Sequence, residues 1–226
     1  MSALPNEVVI GASQISAVLG IDRFTTPQKL YNRMRGLEPW EPENPDMKRG
    51  KFLEAGLCAW WCDLATGERR EAHYAARGVV LGNGQLQVRH PEMPWARATA
   101  DIVAEALPVK RDERELLAVD TKAPRSDGRK VGDGWVKIWS EADQVAPRSY
   151  LAQSVFQQGV LRAAGVPVVG GELAAGPFWG SLARVYVPFD AELFELMLER
   201  AAVFRACVLS GAPLPSEFQP KEEADS

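Results

Sequence analysis

The chain predicts an α/β protein of the α+β kind, a central mixed β-sheet flanked by helices, and three features carry that expectation. A longer helix with a largely apolar content reads over 47–66, and apolar residues recur at helical spacing from Phe194 through Met197, Leu198, Ala201 and Phe204 to Val208. Between 70 and 122 the pattern changes to short strand-like runs broken by glycines. A further pair of such runs, Val168 to Ala174 and Ala183 to Val187, lies between two helical segments. The length of 226 residues is ample for one buried core, and the expected organisation is a single domain over 1–212 with a flexible acidic tail over 213–226.

In chain order, Gly11 to Gly20 reads as a short helix capped by Ser13 and stopped by Gly20. Thr26 and Pro27 supply an N-cap and a first-turn proline for a second helix ending near Gly36. Residues 37–46 form a proline-rich connector, and Asp46 reads as the N-cap of the third helix. Phe52, Leu53, Leu57, Trp60, Trp61 and Leu64 give that helix its apolar content. Glu54 lies among them, either as a partly buried carboxylate or facing solvent beside Lys51. Gly78 and Gly82-Asn83-Gly84 punctuate Val79-Val80-Leu81 and Leu86-Gln87-Val88 as hairpin elements. The segment 123–146 reads as a long irregular loop with Arg125, Arg129 and Lys130 followed by Trp135 and Trp139. That order suits either a lid that stacks on the bases of a charged polymer or tryptophans packed into the core. Pro147 opens a helix running through Leu161, and Asp190 caps the last one.

Composition narrows the function classes. Apolar residues make up 46% and charged residues 25%, with a net charge of −4, which is ordinary for a globular protein. No run is long enough to span a bilayer and no signal sequence opens the chain, so a cytosolic protein is expected. Cys58 and Cys62 lie one helical turn apart with Cys207 remote, and no second pair or histidine cluster completes a zinc set. His73 and His90 have no nucleophile motif beside them. The charge is unevenly spread: Arg23, Lys29, Arg33 and Arg35 fall in a stretch without acids, whereas acids gather at 190–199 and in the tail.

The chemistry is concentrated in two runs, Ala98 to Glu105 and Leu116 to Pro124, each read as one strand carrying one aspartate. Lys122 follows Asp120 by two residues and therefore shares its strand face. Asp101, Asp120 and Lys122 can converge on one edge of a paired sheet. Two carboxylates gathered this way repel unless a cation lies between them, and an oxygen-only site suits a hard divalent ion such as Mg2+. The bland alternative is a hairpin with solvent-facing charges. The same Asp-x-Lys spacing at Asp46-Met47-Lys48 reads as a helix start.

Taken in order, the Gly-Ala-Ser helix, the Met-Lys-Arg-Gly-Lys-Phe-Leu-Glu helix, the Asp strand, the Asp-x-Lys strand and the helix opening Tyr150-Leu151-Ala152-Gln153 resemble the YqaJ-type viral recombinase group. This group comprises the lambda-type alkaline exonucleases of the PD-(D/E)xK nuclease superfamily, and the similarity spans about residues 10–165. The resemblance implies a restriction-endonuclease-like core. It also implies that Asp101, Asp120, the Thr121 main-chain carbonyl and Glu54 hold Mg2+, with Mn2+ as a substitute, and that Lys122 and Gln153 complete the catalytic set. Ser13 matches the serine that contacts a terminal 5′-phosphate; Arg23, Arg33, Arg125, Arg129 and Lys130 are the expected DNA contacts.

Two departures stand out: Ala100 replaces the proline of the motif name, and Leu4-Pro5-Asn6-Glu7 lacks the phosphate-binding arginine that lambda-type enzymes carry upstream of the serine. Arg23 or Arg33 is the expected substitute for that arginine. The implied activity is 5′-to-3′ exonuclease action on double-stranded DNA ends in phage-type recombination, in the cytoplasm of a bacterial or phage-infected cell. The implied partners are a single-strand annealing protein and two further copies in a ring-shaped trimer. An endonuclease or nickase with the same core, and a non-catalytic DNA-binding module, are the alternatives.

Overall fold

The computed structural model describes residues 7–66, 79–80, 85–105, 116–124, 128–131, 134–178 and 181–218. Its elements are β1 (Ile10–Gly11), α1 (Ala12–Val18), α2 (Pro27–Met34), α3 (Pro45–Thr66), β2 (Val79–Val80), β3 (Leu86–Arg89), β4 (Ala96–Ala100), β5 (Ile102–Glu105), β6 (Leu116–Lys122), β7 (Gly128–Val131), β8 (Gly134–Lys137), α4 (Arg148–Ala163), β9 (Val168–Phe178), β10 (Ser181–Pro188) and α5 (Ala191–Ser210). The fold class is the expected mixture of helices and mixed sheet. The sheet, however, is divided in two, with strand orders β1-β4-β3-β2 and β10-β9-β6-β5. In each, one parallel pairing is combined with antiparallel ones: β1 with β4, and β6 with β9.

The division falls at Asp101. The expected single strand from 98 to 105 is instead two, β4 and β5, with Asp101 between them. The packing shows why they cannot be one strand. Ala98 and Ala100 pack into the larger core cluster, and a regular strand would turn Ile102 the same way. Ile102 and Ala104 instead join the smaller cluster, and Val103 returns to the larger one. The alternation slips by one residue, as at a β-bulge, and Asp101 falls between the two ladders, paired in neither.

The pair β6 and β9 carries a core on each face. Leu116, Ala118, Leu173 and Ala175 face the larger cluster, where α4 contributes Val155, Phe156 and Val160. Val119 and Ala174 face the smaller one, where α3 contributes Leu57, Trp61 and Cys62. Burial on both sides explains the nearly unbroken apolar run Leu116 to Val119. In the smaller cluster Glu172 accepts hydrogen bonds from the Trp61 indole and from the Arg184 guanidinium, the latter at 2.8 and 3.1 Å. These bonds tie α3 to the sheet through a paired charge.

Several local expectations are corrected. The N-cap of α1 is Gly11, not Ser13; its N–H is taken by the Gln14 side chain at 2.9 Å. Asn44, not Asp46, caps α3, its Oδ1 accepting from Met47 N–H at 2.9 Å. The segment expected to be an irregular loop contains an antiparallel hairpin, β7 with β8. Within it Trp139 is buried and stacked on Tyr150, which excludes it as a base-stacking lid residue. The chain is still packed just past 213, where Leu214 and Phe218 are buried and Phe218 packs on Phe204; the remainder of the expected tail, 219–226, lies outside the described residues. Thr26, Asp190 and the left-handed Gly211 cap their helices by ordinary side-chain and glycine chemistry.

Candidate active site

Asp101, at the slip between β4 and β5, turns its carboxylate toward the end of β6. Its Oδ2 accepts from Thr121 N–H at 2.7 Å and from Thr121 Oγ1 at 2.9 Å. Asp120 projects from the neighbouring residue on the α4 side and is 3% exposed. Its Oδ2 accepts from Lys122 Nζ at 2.6 Å and from Gln153 Nε2 at 2.7 Å. The Lys122 ammonium also lies 5.2 Å from the centre of the Tyr150 ring. Tyr150 and Gln153 are one turn apart on α4 and so present one face to the strand end.

Glu54 reaches the same place from α3. Gln85, just ahead of β3, donates from Nε2 to Glu54 Oε1 at 3.0 Å and to Asp101 Oδ1 at 2.6 Å. Glu54 is thus partly buried and turned inward; Lys51 pairs with Glu43 at 2.7 Å instead. Cys58 lies 3.7 Å from Thr121 Oγ1, and burial with the Asp101 charge pushes its thiol up to about 12, which leaves it inert.

The electrostatics follow from burial. Desolvation, opposed by Lys122 and reinforced by Asp101 close by, pushes the Asp120 carboxyl up to about 6. Burial and Asp101 also raise Glu54. For Lys122, burial alone would lower the ammonium, but Asp120 and Asp101 together outweigh it and hold it above its usual value. Negative charge therefore exceeds what one lysine neutralises, the condition in which a cation binds. The donors on offer are carboxylate and main-chain oxygens, which fits a hard divalent ion and not a zinc set. Among the described residues no three acidic, histidine or cysteine side chains already converge as an ion cage. Glu54 and Asp101 meet through the Gln85 amide.

Other expected contacts are dispersed. Ser13 is exposed on α1, and the Arg97 guanidinium of β4 lies beside the adjoining Gly11. Arg33 is buried and held by Glu41 at 2.6 Å, so it is not a free DNA contact; Lys29 shares the same carboxylate. Arg35 donates to Val208 O at 3.1 Å, and of that basic stretch Arg23 stays exposed, over Phe24. Arg125 and the side chains of Arg129 and Lys130 lie outside the described residues. The sequence reading missed Gln85, Tyr150 and Arg97. Gln85 immediately precedes Leu86, which pairs with Ala100, the residue before Asp101, and helical spacing places Tyr150 beside Gln153.

No protein-family model matches the chain, and comparison with curated proteins finds no match either. Among solved structures, the alkaline exonuclease LHK-Exo from Laribacter hongkongensis superposes with a TM-score of 0.57 over 90% of this chain and 89% of that one, at 15% identity. The chain shares the fold of an alkaline exonuclease. The same exonuclease in complex with dAMP superposes equally well, with a TM-score of 0.57. At 15% identity the likeness is one of fold. No helix among the described residues is long and apolar enough to cross a membrane.

Proposed function

We propose that this chain is a divalent-metal-dependent deoxyribonuclease, an exonuclease that enters double-stranded DNA at its ends and proceeds 5′ to 3′. The observation that carries the reading is the meeting of Asp101, Asp120, Lys122 and Gln153 at the end of β6, within a fold shared with an alkaline exonuclease. Asp101, Asp120 and the Thr121 carbonyl are the oxygens that would hold Mg2+ or Mn2+, with Glu54 as a further carboxylate. The bound ion would supply an activated water and a polarised phosphodiester. Lys122 orients the attacking water and offsets charge gathering on the phosphate oxygens, and Tyr150 limits where its ammonium can swing. Gln153 fixes the Asp120 carboxylate by its amide, so that the acid need not reorganise during reaction.

The 5′-to-3′ polarity is supported by Ser13 with Arg97 beside its helix start, a guanidinium in the neighbourhood where the upstream sequence has none. A ring of three copies and an annealing partner for the released strand belong to the same reading. The test is digestion of end-labelled linear duplex, with and without a 5′-phosphate, in Mg2+ and in EDTA. Shortening from the 5′ ends in Mg2+ alone is expected, with covalently closed DNA left intact. Cutting of closed circles would replace the exonuclease by an endonuclease. Lys122→Ala and Asp120→Ala are expected to lose activity by about a hundredfold or more while keeping wild-type circular dichroism. Either variant cutting at the wild-type rate would overturn the assignment.

A further inference from the structure

The Gln85 amide nitrogen lies between two carboxylates, those of Glu54 and Asp101. Asp101 Oδ2 is engaged by both Thr121 donors, so Oδ1 is the oxygen turned toward Glu54. Nε2 of Gln85 is 2.6 Å from that oxygen and 3.0 Å from Glu54 Oε1. An amide NH2 carries two hydrogens and can serve two acceptors at once, which makes it a weak mimic of a bridging cation. The position follows from the strand ends: Gln85 immediately precedes Leu86, which pairs with Ala100, the residue before Asp101.

We propose that Gln85 is an exchangeable occupant of the ion position, its amide joining Glu54 to Asp101 in the ion-free protein and giving way when a divalent ion is loaded. The inference rests on the functional reading above, that the site takes such an ion. Its consequence is a brake on affinity. The ion must first displace two hydrogen bonds to carboxylates, so the binding-competent arrangement is only fractionally populated and apparent affinity falls by that fraction. In return, the Glu54 and Asp101 carboxylates stay gathered when no ion is present. Gln85 is in this sense a positioning residue.

The experiment compares the wild-type chain, Gln85→Ala and Gln85→Met in two measurements, thermal denaturation in EDTA and calorimetric titration with Mn2+. Both variants remove the amide donors, and Gln85→Met does so at nearly unchanged side-chain size and without adding a charge. Both are expected to melt below wild type in EDTA, to bind Mn2+ about tenfold more tightly, and to gain more in melting temperature from saturating Mn2+. A supporting or packing role would lower Mn2+ affinity along with stability. Variants that bind Mn2+ no more tightly than wild type would therefore overturn the inference and leave the nuclease reading standing. A wild-type protein that takes up no Mn2+ would overturn both.

Discussion

Asp120 shows how one residue can be both buried and charged only on condition. Three per cent exposed, it keeps its carboxylate beside Asp101 with Lys122 and Gln153 as its donors. Its folded pKa of about 6 lies above the ordinary 3.8, so the protonated form is favoured by folding. The associated stability is complete below the ordinary pKa and is lost as pH rises through the folded one. In EDTA, wild type is expected to lose stability as pH rises from about 4 through about 6. Asp120→Asn should show a shallower slope over that window in urea denaturations at successive pH values. Equal slopes would mean that Asp120 is not the group that titrates. Glu54, also raised, works in the same direction, which is why the difference between the two proteins is the informative quantity.

At the scale of elements, the site depends on how closely α4 is seated, because Tyr150 and Gln153 ride on it. Gly159 is what permits its contact with α5: a Cβ there would lie 2.1 Å from the Phe194 ring. That ring is already wedged against Phe156, Phe189 and His90 and has little room to move. Gly159→Ala is expected to cost about 1–3 kcal/mol by overpacking, read as a lower urea midpoint with an unchanged slope. Helix α3 is held differently. It rests on the smaller core cluster, on the Trp61 bond to Glu172, and on Arg49, which donates to Ala123 O at 2.7 Å just past β6. Helix α3 is thus pinned to the sheet on both sides of Glu54.

Across the whole molecule, the C-terminal segment closes the core behind the site. Helix α5 lays Met197, Ala201, Phe204 and Val208 on the larger cluster, and the chain then turns at Gly211 so that Leu214 and Phe218 cover its far side. Arg200 stacks over Phe218 and donates to Glu217 O at 2.6 Å, locking the turn. Arg205 donates to Val8 O at 2.9 Å, and Arg35 to Val208 O, so the segments around Val8 and Arg35 are both tied to α5. Phe218→Ala is expected to lower stability by about 3 kcal/mol in chemical denaturation, far more than a change in a frayed tail would. A loss within about 0.5 kcal/mol would mean that the segment is not docked in solution.

What the amino-acid order decided by itself is what depends on near neighbours. Asp120 and Lys122 share a face because side chains alternate along a strand, and Thr26-Pro27 and Asp190 start helices because their side chains reach the next turn. The order of the helices and of most strands was legible for the same reason, and so was the gathering of Asp101, Asp120 and Lys122 at one strand end. Tertiary structure alone decided which distant groups meet those residues. Alternation predicts one strand through Asp101; competition between two cores for Ile102 and Val103 breaks it. Composition offered Arg33 to DNA and Trp139 to bases, but burial gave the first to Glu41 and the second to Tyr150. Gln85, 31 residues from Glu54 and 16 from Asp101, carries no local mark of its place between them. Contacts over such separations are set by how sheets and helices pack, and packing is a property of the whole chain.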